Sequence, residues 1–150
     1  TIISRKGYGI TQAIGTGGRD LSAQIEAVTA IEALKLLAAD EDTDVIVFIS
    51  NPPAPEVRDK VIETFKILGK PVVANFLGEK KRENHDNVFY THTLEDTALK
   101  TVEIAEKYKI SEKNIRKEIK DITDNKEQRA IKGLYCGGTL AAETGMIIRD

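Results

Sequence analysis

The sequence has no tryptophan, one cysteine, one methionine and two histidines. A lone cysteine forms no internal disulfide, which suits a reducing compartment. Without a Cys-x-x-Cys pair or a histidine cluster, we expect no metal site. No apolar run exceeds about six residues, which is too short to span a bilayer. Because no secretory signal pattern is present either, we expect a cytoplasmic protein with no membrane partner.

The sequence also lacks an excess of either positive or negative charge. The chain carries 22 basic and 24 acidic residues, for a formal net charge of −2. Nucleic-acid binding needs concentrated positive charge, so we expect no nucleic-acid partner. Apolar residues make up 41% of the 150 residues, which is typical of a globular chain of one domain, with or without an appendage.

Strand and helix patterns alternate along the chain. Short β-branched runs predict strands, and apolar residues at three- and four-residue spacing between them predict helices. This order, with short loops, predicts an α/β fold: a flavodoxin-like three-layer domain with a mainly parallel sheet. The predicted strands are Gly9–Ile14, Val45–Ile49, Pro71–Leu77, Val88–Tyr90 and Ala130–Cys136.

Each predicted helix has a start signal or an apolar stripe. The first is expected to begin at Asp20 or Ser22, whose side-chain oxygens can cap it. The second covers Glu56–Leu68, and the third follows a capping pair formed by Thr93 and Asp96. The apolar stripe of the first helix is predicted to be Leu21, Ile25, Val28, Ile31 and Leu34.

The composition changes after residue 105, which predicts three segments. Residues 1–105 form the main domain, residues 106–130 a charged helical linker, and residues 131–150 a strand–turn–helix unit. A charged stretch is most often a solvated face without activity. The linker's predicted apolar stripe is Ile110, Ile115, Ile119 and Ile122.

A glycine-rich loop, Gly15–Ser22, joins the first strand to the first predicted helix. The unpaired amides and positive dipole at the start of a helix favour a phosphate or carboxylate. The loop matches neither G-x-G-x-x-G nor a Walker A motif, which argues against dinucleotide and P-loop nucleotide binding. The alternative is a tight turn that needs glycine backbone angles and binds nothing.

Loops that follow parallel strands meet at one edge of the sheet, where open α/β folds bind ligands. The loops after the first two strands therefore predict a shared anion site. Neither His85 nor His92 has an obvious catalytic partner in the sequence, and both are predicted to be surface residues. The predicted site residues are Gly17, Gly18, Ser22, Ser50 and Asn51.

Several segments together resemble a known family. They are Gly9–Ser22 (GITQAIGTGGRDLS), Val45–Pro55 (VIVFISNPPAP), Lys70–Gly78 (KPVVANFLG) and Lys132–Glu143 (KGLYCGGTLAAE). This combination resembles the FdrA-type proteins, acyl-CoA-synthetase-like relatives of the succinyl-CoA synthetase alpha subunit and ATP-citrate lyase. The resemblance implies that residues 1–105 are a fragment, a flavodoxin-like ligase-type domain whose glycine loop faces a phosphate.

This sequence also departs from the family's pattern. The synthetases carry a phosphohistidine in a Gly-His-Ala-Gly loop after the third strand, but Glu79–Asn87 has no glycine beside His85. The phosphohistidine is therefore not transferred to His85. The CoA-binding Rossmann domain that these families carry upstream is expected to be absent. We accordingly expect no cofactor in this chain, and CoA with a nucleotide or carbamoyl phosphate in the full-length protein.

The terminal unit resembles the strand, turn and helix that the ligase-type domain would need before Gly9. We expect it either to complete the same sheet or to open a second ligase-type domain. Pairing of Ile131–Cys136 between chains would instead indicate domain swapping. The resemblance implies a second anion-binding turn at Gly137, Gly138 and Thr139.

Three functions stay open. The resemblance implies acyl transfer through a phosphate-bearing intermediate, with Gly17, Gly18 and Ser22 around the phosphate and Arg19 adding charge from outside the loop. The isolated chain is then expected to be inactive. The alternatives are a subunit or domain of an oxamate carbamoyltransferase that uses carbamoyl phosphate, and a non-catalytic assembly domain. The expected partners are a phosphate-bearing small molecule and either a second copy or a partner subunit.

Overall fold

The computed structural model describes residues 2–80, 82–119 and 131–135. Two further lengths of chain, 120–130 and 136–150, lie outside it, and with them Ile122 and the turn Gly137–Thr139. The elements in chain order are α1 (Ile2–Arg5), β1 (Ile10–Gly15), α2 (Val28–Ala39), β2 (Ile46–Ser50), α3 (Pro55–Ile67), β3 (Val72–Phe76), β4 (Val88–Tyr90), α4 (Leu94–Ile119) and β5 (Ile131–Tyr135).

The five strands form one parallel sheet in the order β1-β5-β2-β3-β4. The strand β5, which is the last of those described, is therefore a central one, with Gly133 in register with Ala13 of β1 and Val47 of β2. Counted with β5 first, the order is 2-1-3-4-5, the flavodoxin-like arrangement. The predicted fold class, an α/β flavodoxin-like domain with a parallel sheet, is confirmed.

Helices cover both faces of the sheet. Phe48 and Ala74 on one face pack with residues of α2 and α3, and Val47 and Val73 on the other pack with residues of α1 and α4. All residues of β2 and β3 are consequently buried. This explains why the sequence of Val45–Ile49 is continuously apolar rather than alternating.

The predicted start of the first helix at Asp20 or Ser22 is wrong. Residues 19–27 form consecutive turns, and regular helix begins at Val28. The predicted stripe shifts with it: Ile25 and Val28 are exposed, whereas the helix buries Ala30, Ala33, Leu34 and Leu37. The physical cause is the backbone at Glu26 and Ala27, where φ is 58° at both residues and α-helical hydrogen bonding cannot continue.

The other two helices agree better with the sequence. In α3 the residues Val57, Val61 and Phe65 are buried, and in α4 the Thr93 hydroxyl oxygen accepts a hydrogen bond of 3.0 Å from the Asp96 N–H. Helix α4 runs without a break through residue 105 to Ile119. The division of the chain at 105 and 130 stays a prediction.

The two left-handed residues before α2 give a stability prediction. A non-glycine residue in this conformation costs about 1–2 kcal/mol, and Glu26 is exposed, so Glu26→Gly removes strain without leaving a cavity. Its ion pair with Lys60 is also exposed and contributes little. We expect Glu26→Gly to raise the free energy of unfolding by about 0.5–1 kcal/mol, measured by urea denaturation.

Gln24→Gly is the matched control for that substitution. Gln24 is exposed in the same turn segment, and its φ is not in the left-handed region. Glycine there adds unfolded-state entropy without relieving strain, so stability should fall by about 0.5–1 kcal/mol. Equal effects of the two substitutions would show that the conformation at Glu26 is not strained.

Candidate functional site

A cleft of about 250 Å³ opens at the carboxyl edge of the sheet, between the loops that follow β1 and β2. Its lining residues are Gly18, Leu21, Ser22, Asn51, Pro52 and Ala54. The structure thus brings together Gly18, Ser22 and Asn51, which were among the residues predicted from sequence. Gly17 and Arg19 are exposed beside the cleft but do not line it.

The Asp20 side chain anchors the glycine loop to the start of α2. Its carboxylate is buried and accepts hydrogen bonds from the backbone N–H groups of Thr29 at 3.0 Å and Ala30 at 2.8 Å. Its backbone carbonyl accepts another from Ala27 N–H at 2.7 Å. Asp20 therefore accepts hydrogen bonds from the first turn of α2 from outside the helix, and not as the local cap that the sequence predicted. These two amides at the start of α2 are bound to the protein's own carboxylate.

The positive end of a different helix lies at the cleft. Ala54, a lining residue, precedes α3, whose first residue is Pro55 and whose amino end has no side-chain cap. Ala54 N–H donates to the Leu21 carbonyl at 3.2 Å, which ties the two loops together. Glu56 in the first turn partly offsets the dipole. The helix that faces this cleft is thus α3, which the sequence patterns did not indicate.

Ser50 is buried and does not line the cleft. It ends β2 and is fully buried, and its hydroxyl oxygen has no hydrogen-bond partner among the described residues. Its carbonyl accepts a hydrogen bond of 2.8 Å from Leu77 N–H, which joins this loop to the one after β3. The next residue, Asn51, is exposed and lines the cleft.

Both histidines lie on the surface, as predicted. His85 is exposed, with Nδ1 2.7 Å from a carboxylate oxygen of Asp86. His92 is exposed and its Nδ1–H donates to the Glu79 carbonyl at 3.1 Å. Neither lines the cleft.

Across the described part of the chain, no group of three or more His, Cys, Asp or Glu is placed to hold a metal ion. In the same residues, no helix combines the length and apolarity needed to cross a membrane.

A second cavity, of about 330 Å³, lies between β4 and α4. Hydrogen bonds from Lys100 and Lys107 lower the pKa of Glu103 to about 2, and burial raises the pKa of Tyr90. The sequence does not predict this cavity, because its lining comes from separate segments with no common motif. The lining residues are Asn84, Tyr90, Thr91, Asp96, Leu99, Lys100 and Glu103.

Comparison with known proteins identifies a relative and a protein family that match this chain. The uncharacterised protein YahF of Escherichia coli (strain K12) is 38% identical over 154 aligned residues, which cover 96% of this chain. The chain spans 29% of the length of that relative.

Residues 1–78, about half of the chain, match the model of the family described as CoA binding domain. The expectation that this chain has no counterpart of a CoA-binding domain is therefore wrong. The match contains the glycine loop, β2, α3 and β3, and so includes every residue that lines the cleft. The chain belongs to the CoA-binding domain family, which is present in succinyl-CoA synthetase alpha-like proteins.

Proposed function

We propose that this chain is the ligase-type domain of an FdrA-like acyl-CoA synthetase, and that it binds a phosphate-bearing reaction intermediate. The observation that carries the proposal is the cleft, in which Gly18 and Ser22 from one loop meet Asn51 from another. In open α/β sheets, ligands bind at this carboxyl edge. Membership of the CoA-binding domain family supports a CoA-linked reaction.

The lining groups suit an oxyanion. The Ser22 hydroxyl and the Asn51 amide are hydrogen-bond donors, and the uncapped start of α3 adds a positive partial charge. A Cβ built on Gly18 meets nothing within 4 Å, so a ligand can approach the backbone there. The contribution to catalysis would be positioning of the phosphate-bearing group and stabilisation of its negative charge.

The size of the cleft limits what it can enclose. Its volume of about 250 Å³ lies below the range of about 300–1,000 Å³ that is usual for pockets enclosing drug-sized ligands. The lining residues therefore fit a phosphoryl or acyl phosphate group, with the rest of a larger ligand outside the cleft. CoA, when bound, supplies the thiol that receives the acyl group.

Carbamoyl transfer is the second candidate, as part of an oxamate carbamoyltransferase. It is favoured by one observation: the cleft contains neither His85 nor His92. A phosphate relay through histidine needs such a residue beside the phosphate. Carbamoyl phosphate is already activated and needs no covalent histidine, so stabilisation of an oxyanion by Ser22 and Asn51 would be sufficient.

Calorimetric titration of carbamoyl phosphate, and separately of inorganic phosphate, tests these proposals. Loss of a hydrogen bond to a charged ligand should weaken the affinity of Ser22→Ala about tenfold. Gln24→Ala, a substitution of an exposed residue in the turns just after this loop, is the control and should bind like the parent chain. Preferential binding of carbamoyl phosphate would favour carbamoyl transfer.

The absence of saturable binding would count against both reactions. The glycine loop would then be a structural turn, and the assembly-domain interpretation would remain. Equal weakening by Ser22→Ala and Gln24→Ala would also contradict the proposal, because only Ser22 lines the cleft.

A further inference from the structure

Two arginines share one carboxylate beside the loop that follows β3. Arg58 Nη1 lies 3.1 Å from one oxygen of Glu79, and Arg82 Nη2 lies 3.5 Å from the other. Arg58 belongs to α3, one turn after the cleft residue Ala54, and Glu79 and Arg82 belong to the segment between β3 and β4. We propose that Arg58 and Arg82 form a second oxyanion site, which takes a phosphate ester or pyrophosphate dianion.

Only one largely buried carboxylate serves the two arginines of this cluster. Two guanidinium groups face a single carboxylate, and Asp59 adds only a distant contact, with its oxygen 3.7 Å from Arg58 Nε. Asp59 is largely exposed, so solvent screens that contact. Glu79, in contrast, is largely buried, with 18% of its side chain exposed. The two guanidinium groups therefore share one buried carboxylate next to the ligand-binding edge of the sheet, and their second anionic neighbour is screened by solvent.

The two arginines also have hydrogen-bonding capacity left over. The Nε atoms of Arg58 and Arg82 are both buried and have no hydrogen-bond partner among the residues that the structure describes. Glu79 accepts one hydrogen bond from Arg58 and makes a longer ion pair with Arg82, although each guanidinium has five donors. A buried donor without a partner is costly, and oxyanions bind guanidinium groups through paired N–H bonds. A ligand with several oxygens would satisfy donors that the protein leaves unpaired.

The segment that presents Glu79 is fixed at several points. Leu77 N–H donates to the Ser50 carbonyl at 2.8 Å, and Glu79 N–H donates to the Phe76 carbonyl at 3.1 Å. His92 donates to the Glu79 carbonyl. The cluster is thus placed before any ligand arrives, which reduces the entropy lost on binding.

Charge decides between two classes of ligand. A monovalent carboxylate would only take the place that Glu79 already occupies, with no gain in charge balance. A phosphate or pyrophosphate dianion matches two guanidinium groups and can displace Glu79 from both of them. Glu79 acts in this arrangement as a competing internal anion, so its removal should strengthen binding of the ligand.

Titration of inorganic pyrophosphate into the full chain tests this site. Glu79→Gln should bind pyrophosphate about tenfold more tightly than the parent, and Arg82→Gln about tenfold more weakly. Lys66→Gln removes a positive charge elsewhere on α3, from an i,i+3 ion pair, and should change the affinity less than about twofold. Arg82 is the first choice because it is more exposed than Arg58 and its replacement is less disruptive.

Several results would overturn the proposal. An equal loss of affinity in Arg82→Gln and Lys66→Gln would show that the effect depends only on the net charge of the protein. Unchanged or weaker binding by a folded Glu79→Gln would show that Glu79 does not compete with the ligand. Competition by acetate as effective as that by pyrophosphate would show a carboxylate site. Loss of pyrophosphate binding in Ser22→Ala would place the anion in the cleft, which separates this test from that of the proposed function.

Discussion

Replacing Phe48 by alanine should lower the free energy of unfolding by about 3–5 kcal/mol. Phe48 lies on the central strand β2 and is fully buried. Its ring meets Phe65 of α3 edge to face at a centroid distance of 5.1 Å, and Phe76 of β3 at 5.9 Å. Alanine would remove both ring contacts and leave a cavity between the sheet and α3, because close-packed neighbours relax only partly.

Denaturant unfolding of Phe48→Ala and Phe48→Leu measures this effect. Leucine fills much of the space, so it should cost clearly less than alanine. Tyr108→Ala removes a partly exposed aromatic ring on α4 and should change stability by no more than about 0.5 kcal/mol. Similar losses for Phe48→Ala and Tyr108→Ala would contradict a core centred on Phe48.

Asp20→Ala should lower the free energy of unfolding by about 2–4 kcal/mol, a large effect for one polar side chain. The carboxylate accepts hydrogen bonds from two backbone N–H groups at the start of α2, at Thr29 and Ala30. Removing it leaves the Ala30 donor buried without a partner, and it also removes a negative charge from the positive end of the helix.

The same substitution should weaken ligand binding in the cleft. Gly18, Leu21 and Ser22 flank Asp20 and line the cleft, so a loop without this anchor loses its preorganised geometry. Asp20→Asn keeps one acceptor oxygen and should lose less stability than Asp20→Ala. Asp42→Ala, in an exposed acidic turn, is the control. An Asp20→Ala protein as stable as Asp42→Ala would refute the role given to this carboxylate.

The sequence predicts β2 and β3 well because their burial is uniform. Both faces of β2 are covered by helices, so the run Val45–Ile49 cannot be confused with an amphipathic helix. Loop convergence follows from the same parallel order, which is why the sequence predicts a shared position for Gly18, Ser22 and Asn51, all of which line the cleft.

The start of α2 could not be predicted in this way. Apolar spacing from Leu21 onward is compatible with a helix. The neighbouring residues give no signal that Glu26 and Ala27 adopt the left-handed conformation. The capping carboxylate of Asp20 acts nine and ten residues along the chain, beyond the range of the usual capping motifs. The cluster of Arg58, Glu79 and Arg82 was missed for a related reason, since α3 and the segment after β3 meet only in the folded chain.

The position of β5 has a consequence for the order of events during translation. Ribosomal synthesis delivers β1, β2, β3 and β4 before the strand that separates β1 from β2 exists. Until then, β1 lacks the strand with which it pairs in this sheet, because Ile10 is in register with Ile131. Contacts between such distant positions raise the contact order and slow folding. The nascent chain therefore carries β1, and the edge of β2 that pairs with β5, without their partner strand until β5 is synthesised.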